Sequence, residues 1–307
     1  MSKKVIITGG TGLIGSHLSK ALSAKGYKII IFTRKKQPVK SNYSDNEKFI
    51  EWDYNHQEEW QHQIENTHGV IHLAGANLSG KRFTKSYKQE VINSRKLSTR
   101  NIVRIFSSLK NKPAVFISAS GVNYYGNKGD IPLTEKSEPG DDFLALVCKE
   151  WEEEASKAES LGIRSVSIRT SPVLSSEGGV LQPLLPLFKF YLGAALGDGR
   201  QWFPWIHLDD IINIYIKTLE DEKMSGAINA AAPEYVTMND FAKQLGKAMH
   251  RPVFLKVPKF VLKAAIGEAA DFITASMKII PQKLEAAGFK FKYPMLEEAL
   301  NNIIKKK

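Results

Sequence analysis

Short apolar runs rich in β-branched residues recur along the first 170 positions, separated by segments whose apolar residues fall at helical spacing. Lys4-Val5-Ile6-Ile7-Thr8 predicts a buried strand, and Leu18 and Leu22 predict a helix over residues 16–26. The same reading predicts strands over 28–33, 49–53, 69–76, 114–118 and 165–169, a helix over 85–109 and another containing Lys149. Residues 38–48 are polar and turn-rich and read as a loop. Apolar runs without polar alternation belong to strands covered on both faces. Strands alternating with helices over this stretch predict an α/β fold, a Rossmann-like doubly wound parallel sheet with a smaller C-terminal lobe. Its main domain is expected over residues 1–235, with 173–203 contributing to a substrate lobe, and a small helix-rich domain over 251–301.

Composition changes this picture little. Hydrophobic content of 43% and charged content of 24% are those of an ordinary globular protein. No apolar stretch approaches the length of a membrane span. The first strand starts almost at Met1, leaving no room for a signal peptide, and the single Cys148 fits a reducing compartment, so a cytoplasmic location is expected. The net charge of +11 suggests nucleic acid at first sight. Residues 236–307 carry 13 Lys and Arg against 6 Asp and Glu, spread singly except at Lys305-Lys306-Lys307. That is the pattern of a solvated face, without a basic stripe interleaved with aromatics. Neither nucleic acid nor membrane is expected as a partner, and no metal site is read.

The first strand runs into Gly9-Gly10-Thr11-Gly12-Leu13-Ile14-Gly15 and then a helix. Strand, glycine turn and helix are the context in which a dinucleotide fingerprint carries meaning. Gly9 permits the tight turn, Gly12 lets the backbone approach a pyrophosphate, and Gly15 lets the helix sit close to the strand. Helix N–H groups at Leu13 and Ile14 face the phosphates, with Thr11 in the turn. A protein that prefers NAD usually has a carboxylate at the end of the second strand to hold the ribose 2′-OH. Thr33 stands there instead, followed by Arg34, Lys35 and Lys36. Arg34 is the best placed of the three cations to hold a 2′-phosphate bidentately. The expected cofactor is therefore NADP(H). Asp53 is expected either to touch the adenine or to cap the next helix. The small run Leu73-Ala74-Gly75 would let a ribose pass close to the backbone.

These pieces together resemble the short-chain dehydrogenase/reductase superfamily, in its extended, nucleotide-sugar-epimerase-like branch. The resemblance rests on residues 8–15, on His72-Leu73-Ala74-Gly75, on the Ser-rich turn ending Tyr125-Gly126, and on Trp205-Ile206-His207-Leu208-Asp209-Asp210. Residues 193–202, Gly267-Glu268-Ala269-Ala270, Ile280-Pro281-Gln282-Lys283-Leu284 and Ala287-Gly288-Phe289-Lys290-Phe291 resemble an atypical sub-family of "epimerase family" proteins with a C-terminal domain of unknown function. The resemblance implies further cofactor contacts at Glu90, Arg95, Ser118 and Pro172. It also implies chemistry by Ser, Tyr and Lys, with Tyr and Lys spaced Y-x-x-x-K.

Here the pattern breaks. Lys149 fits the Lys and Ser120 the Ser, but Ala145 stands four residues before Lys149 where the Tyr belongs. A positioned proton donor contributes typically ~10²–10⁴ in rate. Tyr124 or Tyr125 can supply a phenol from the Ser-rich turn, although the tyrosine of the Tyr-Gly step is usually structural. Cys148 is expected to face away from the Lys149 side of its helix. His207 either braces its segment, with Asp209 or Asp210 as a helix N-cap, or serves the substrate. Residues 181–191 read as a helix that roofs a pocket or as plain core. Arg200 and Trp202 sit on a glycine-flexible turn suited to a phosphate and a ring; an Arg stacked on a Trp as packing is the alternative.

The function expected is hydride transfer by an oxidoreductase or epimerase on a small, nucleotide-like substrate, with a non-catalytic NADP(H) sensor as the rival. A monomer and a homodimer stay equally open.

Overall fold

The computed structural model describes residues 3–34, 46–56, 60–78 and 81–305. Seven strands form its central sheet: β1 Lys4–Thr8, β2 Lys28–Thr33, β3 Glu47–Glu51, β4 Gly69–His72, β5 Val115–Gly121, β6 Arg164–Thr170 and β7 Gly226–Ala230. All pairings are parallel, in the order β3-β2-β1-β4-β5-β6-β7. The chain winds outward from β1 in both directions, so the order reverses between β1 and β4. In an open parallel sheet that reversal leaves a crevice at the carboxyl ends of the strands, where ligands bind.

Alternation along each strand divides the core into two layers. Val5, Ile7, Ile29, Ile31, Val166 and Ile168 pack with Leu18 and Leu22 of helix α1, Leu13–Ala24, and with Ile211 and Tyr215 of a long helix over Leu208–Glu220. Ile6, Ile30, Val70 and Phe116 point the other way, onto Ile102, Val103 and Phe106 of α2, Lys85–Ser108, and Ala155 of α3, Phe143–Ser156. Thr84 and Asp142 cap α2 and α3 by accepting the N–H groups of Tyr87 and Ala145, at 3.2 and 2.9 Å.

Past β6 come α4, Leu181–Lys189; α5, Leu208–Glu220; α6, Met238–Ala248; α7, Lys259–Ile266; α8, Ala269–Ile273; α9, Gln282–Ala286; and α10, Leu296–Lys305. A second apolar core joins Leu181, Leu185 and Phe188 of α4, Phe241 and Leu245 of α6, and Leu296, Leu300 and Ile303 of α10. The last helix thus packs into the lobe built by residues 174–245.

Several elements differ from the sequence reading, the bounds of β3 and β5 among them, and three of the differences bear on the site. Helix α1 starts at Leu13, directly on the glycine turn. Strand β4 stops at His72, since Leu73-Ala74-Gly75-Ala76 leaves the sheet to skirt the crevice. The edge strand β7 was not anticipated: Gly226-Ala227-Ile228-Asn229-Ala230 has a single β-branched residue and no alternation to betray it. Among the described residues, no helix is long and apolar enough to cross a membrane, and no cluster of metal-ligating side chains is present.

Candidate cofactor cleft and active site

The glycine turn lies at the switch point. Gly9 has φ +68°, a conformation that favours glycine, and the Gly12 N–H closes the turn on the Gly9 carbonyl at 3.0 Å. A Cβ on Gly15 would lie 2.4 Å from the Gly9 oxygen and 2.6 Å from the Gly10 Cα, so only glycine lets α1 pack this close. A Cβ on Gly12 would meet just the Gly9 oxygen, at 3.3 Å, and Thr11 and Gly12 are exposed. Helix α1 has no side-chain cap and no acidic residue in its first turn. Its first N–H groups and its positive dipole end therefore face an open cradle, which fits an anionic pyrophosphate.

Behind the turn, Thr8 at the end of β1 shares a hydrogen bond with His72 Nδ1 at 2.7 Å, and His72 Nε2 meets Ser98 Oγ at 3.0 Å. Complete burial, and the nearby Arg95 cation, push the His72 pKa down to about 3, so the ring is neutral. Thr8 Oγ1 also accepts the Ala74 N–H at 3.3 Å, fastening the β4 exit to β1. Arg95 is buried beneath Gly75, donating to the carbonyls of Val91 and Ala76 at 3.2 and 3.0 Å and lying over the Trp151 ring. A side chain on Gly75 would strike that guanidinium at 2.9 Å. The exposed Gly75 and the partly exposed Leu73 and Ala74 form the cleft wall, and Arg95 braces it from inside.

At the far end of the sheet, α3 presents Ala145, Cys148 and Glu152 inward. Ser120, at the end of β5, donates its hydroxyl to Glu152 Oε1 at 2.6 Å. Glu152 is gripped bidentately by Arg169 of β6, Nε to Oε1 at 2.9 Å and Nη2 to Oε2 at 2.7 Å, with both side chains largely buried. The Arg169 guanidinium covers the Tyr124 ring at 3.4 Å and donates to the Tyr125 hydroxyl at 2.8 Å. Tyr125 is fully buried, with Asn229 Oδ1 at 2.6 Å, and burial pushes its pKa up to about 12, the state of a structural strut. Burial raises the Tyr124 phenol as well, against a lowering pull from Arg169. Ala145 has no exposed surface. Cys148 is buried beside Gly121, its thiol pushed up to about 11 by desolvation. Lys149 turns outward, half exposed, with Glu153 at 4.0 Å.

Ser120 and Lys149 are thus engaged with different partners: the Ser hydroxyl goes into a buried ion pair and the Lys ammonium goes to solvent. Glu152 and Arg169, which organise this end of the cleft, escaped the sequence reading. They lie on different elements, and their charges look like surface charges until α3 packs on β6.

Several other expected site residues have different surroundings from those anticipated. Arg34 is exposed directly after β2; Thr33 ends the strand, with Glu51 of β3 as its register partner; Lys35 and Lys36 lie outside the described residues. Asp53 accepts the Asn55 N–H at 2.9 Å and pairs with His56 at 2.8 Å, so it caps a turn and not a helix. Glu90 is exposed and pairs with Lys81 at 3.5 Å. Ser118 is fully buried in β5 and donates to the Ala119 carbonyl at 3.1 Å. Arg200 is exposed and closes a turn on Asp198, while the cation over Trp202 is Lys278, at 4.8 Å, and the indole donates to Asp130 at 2.8 Å. His207, not Asp209 or Asp210, is the N-cap of α5: its Nδ1 accepts the Asp209 N–H at 3.0 Å and its ring packs on Tyr293 at 4.0 Å.

A cavity of about 660 Å³ separates the carboxyl edge of the sheet from the C-terminal lobe. Asn123, Leu144 and Pro172 line its sheet side; Leu184 and Phe188 of α4, Phe241 of α6, Ile266 of α7 and Phe272 of α8 line the rest. Helix α4 is therefore both roof and core. Arg200, Trp202 and His207 are not part of this lining.

Fold and turn define the class first: a dinucleotide-binding α/β protein with the Rossmann-like strand order. The family follows from comparison. Residues 5–231 match the model of the NAD dependent epimerase/dehydratase family, to which the chain belongs, and residues 257–303 match a domain of unknown function, DUF1731. An epimerase family protein of Staphylococcus saprophyticus is 40% identical over 98% of this chain and 99% of its own length. The Arabidopsis thaliana chloroplastic homologue of the epimerase family protein SDR39U1 is 35% identical, over 98% of this chain and 86% of its own. The crystal structure of human SDR39U1 (isoform 2) with NADPH superposes with a TM-score of 0.88 at 28% identity, covering 99% of this chain and 100% of that one. The UDP-N-acetylglucosamine 4-epimerase of Bacillus cereus, at 19% identity and a TM-score of 0.77, shares the fold.

Proposed function

We propose that the protein is an NADP(H)-dependent oxidoreductase or epimerase that transfers hydride to and from a small molecule bound in the cavity beside the sheet's carboxyl edge. The observation that carries this reading is the open glycine cradle at the switch point, at the same carboxyl edge of the sheet as Asn123 and Pro172, which line that cavity. NADP(H) in such a site supplies a hydride at the nicotinamide C4.

Preference for the phosphorylated cofactor is supported by the exposed Arg34 after β2 and by Thr33 in place of a carboxylate. The human relative solved with NADPH is consistent with it. Arg34→Ala is expected to weaken NADPH binding at least tenfold and leave NADH nearly unchanged, read by fluorescence titration. Equal losses would overturn the preference.

In the reductive direction the substrate oxygen needs a proton. Ser120 already donates to Glu152, and Lys149 faces outward, so Tyr124 is the phenol left at this edge, beside the cavity-lining Asn123. Incubation of the protein with C4-deuterated NADPH and a cytoplasmic metabolite extract tests the reaction as a whole. Deuterium is expected in one metabolite, and its absence from all of them despite tight NADPH binding would sink the enzymatic reading.

A second reading is favoured by one feature, the fully buried Ala145 where the superfamily's acid belongs. On that reading the chain senses NADP(H) redox state for a partner protein. Recovery of a partner that differs between NADP and NADPH would support it, and indifference to redox state would exclude it.

A further inference from the structure

The cavity that the proposed reaction would use is chemically unlike a nucleotide-sugar site. Of the eight side chains placed above on its walls, seven are apolar, and Val180, Leu196, Phe203, Met238, Ala269 and Met277 extend the same surface. The polar groups are few: Asn77 and Asn123, and the cations Lys81 and Arg82. Both cations are exposed and already engaged, Lys81 with Glu90 at 3.5 Å and Arg82 with the Ala265 carbonyl at 3.4 Å. A nucleoside diphosphate needs several donors around its pyrophosphate, and a sugar ring needs donors and acceptors on each side. Sealing either against these walls would strip hydration without replacing it, at a cost of several kcal/mol for each unpaired polar group by water-to-hydrocarbon reference. Arg200 and Trp202, the groups suited to a phosphate and a ring, lie outside the cavity, bonded to Asp198 and Asp130.

The shape argues for a small molecule and not for a protein surface. The site is walled by residues of four helices, α4, α6, α7 and α8, and its volume falls in the range that takes a drug-sized ligand. One wall is loosely held. None of the eight residues of α7 is buried, and Phe260 and Val261 on it are exposed, although Ala265 and Ile266 face the cavity. A helix anchored this lightly can move to admit an apolar molecule and close over it.

We propose that this cavity takes a hydrophobic carbonyl compound or alcohol, an aliphatic or ring-bearing molecule with a single oxygen function directed at Asn123 and Pro172, in place of a nucleotide sugar. The assignment rests on the oxidoreductase reading for its reactive group, but its binding test is independent of turnover. With saturating NADPH present, calorimetry is run against straight-chain aliphatic aldehydes and 2-ketones of six to twelve carbons, and against UDP-glucose. Affinity is expected to rise about fourfold for each added methylene until the cavity is filled, with no binding of UDP-glucose. Ile266→Glu places a carboxylate in the wall from a helix that carries no buried residue, so the protein should fold and bind NADPH normally. That variant is expected to lose the chain-length series at least tenfold.

Binding of UDP-glucose without the aliphatic series would overturn the assignment, as would a series unaffected by Ile266→Glu. Chain-length binding without turnover would leave the cavity assignment standing and count against the oxidoreductase reading. Failure to bind NADPH would count against the cofactor reading alone.

Discussion

His72 shows how one residue's environment becomes a measurable property of the whole protein. Its ring, fully buried between Thr8 and Ser98, stays neutral in the folded state down to about pH 3, whereas its ordinary value is 6.5. Below pH 6.5 the unfolded chain therefore binds a proton that the folded chain refuses. The stability associated with the neutral ring is complete above that pH and is lost as the pH falls, at about 1.4 kcal/mol per pH unit for one group between those limits. Urea unfolding of the wild type between pH 7 and pH 5 is expected to show this decline. His72→Asn, less stable at pH 7 through its lost hydrogen bonds, should show a distinctly shallower one. Parallel declines in the two proteins would mean that other groups carry the pH dependence. The chemical role of His72 was invisible in the sequence, where it belongs to a family motif. Its two hydroxyl partners come from positions 64 and 26 residues away, brought to it only by the winding of the sheet.

The strand–turn–helix unit of β1 and α1 was the most legible element, because strand pattern, glycine spacing and helix pattern agree over twenty residues. Its glycines nevertheless do different work, and the structure separates Gly15 from Gly12. Gly15→Ala forces a methyl into the Gly9 carbonyl and the Gly10 backbone, neither of which can yield as a side-chain tip would. That change is expected to lower the melting temperature of the cofactor-free protein by several degrees and to weaken NADPH. Gly12→Ala meets only one oxygen at 3.3 Å and projects into the cradle, so the apo protein should melt within about a degree of wild type while NADPH affinity falls tenfold or more. Differential scanning fluorimetry with and without NADPH reads both. If Gly12→Ala kept full affinity, the pyrophosphate would lie elsewhere. The proposed catalytic end of the cleft was less legible for a physical reason: Ser120, Glu152, Arg169 and Tyr124 come from β5, α3, β6 and a 3₁₀ turn, and no local pattern links them. Family spacing located Ala145 and Lys149 on α3 but gave no sign that the inward face of that helix is formed by Ala145, Cys148 and Glu152.

At the scale of the molecule, the C-terminal lobe is held by carboxylates that cap backbone as well as by ion pairs such as Lys292 with Asp209 at 2.7 Å. Asp210, wholly buried in the first turn of α5, accepts the N–H groups of Lys292 and Tyr293 at 2.6 and 3.0 Å. Glu234 accepts that of Leu296 at 2.5 Å, at the start of α10, and Glu135 accepts those of Asn229 and Lys283 at 3.2 and 3.1 Å. The Trp205–Asp210 segment, read from sequence as a brace or a catalytic stretch, is the strap between the α5 side of the sheet and the tail. Desolvation raises the Asp210 pKa against the pull of its two N–H donors, so the site gives up hydration for order. Asp210→Asn keeps the shape but turns an acceptor oxygen into a donor facing an N–H, a loss of about 2–3 kcal/mol by the usual cost of a charged hydrogen bond left unmade. Because α10 shares its core with α4 and α6, loosening the strap should reach the cavity wall but not the glycine turn. Hydrogen exchange of Asp210→Asn is therefore expected to speed up in residues 288–305 and in α4, with α1 and NADPH affinity unchanged. Uniform acceleration across the central sheet would show that the lobe and the sheet unfold as one unit, and that the tail contributes to global stability and not to the setting of the substrate cavity.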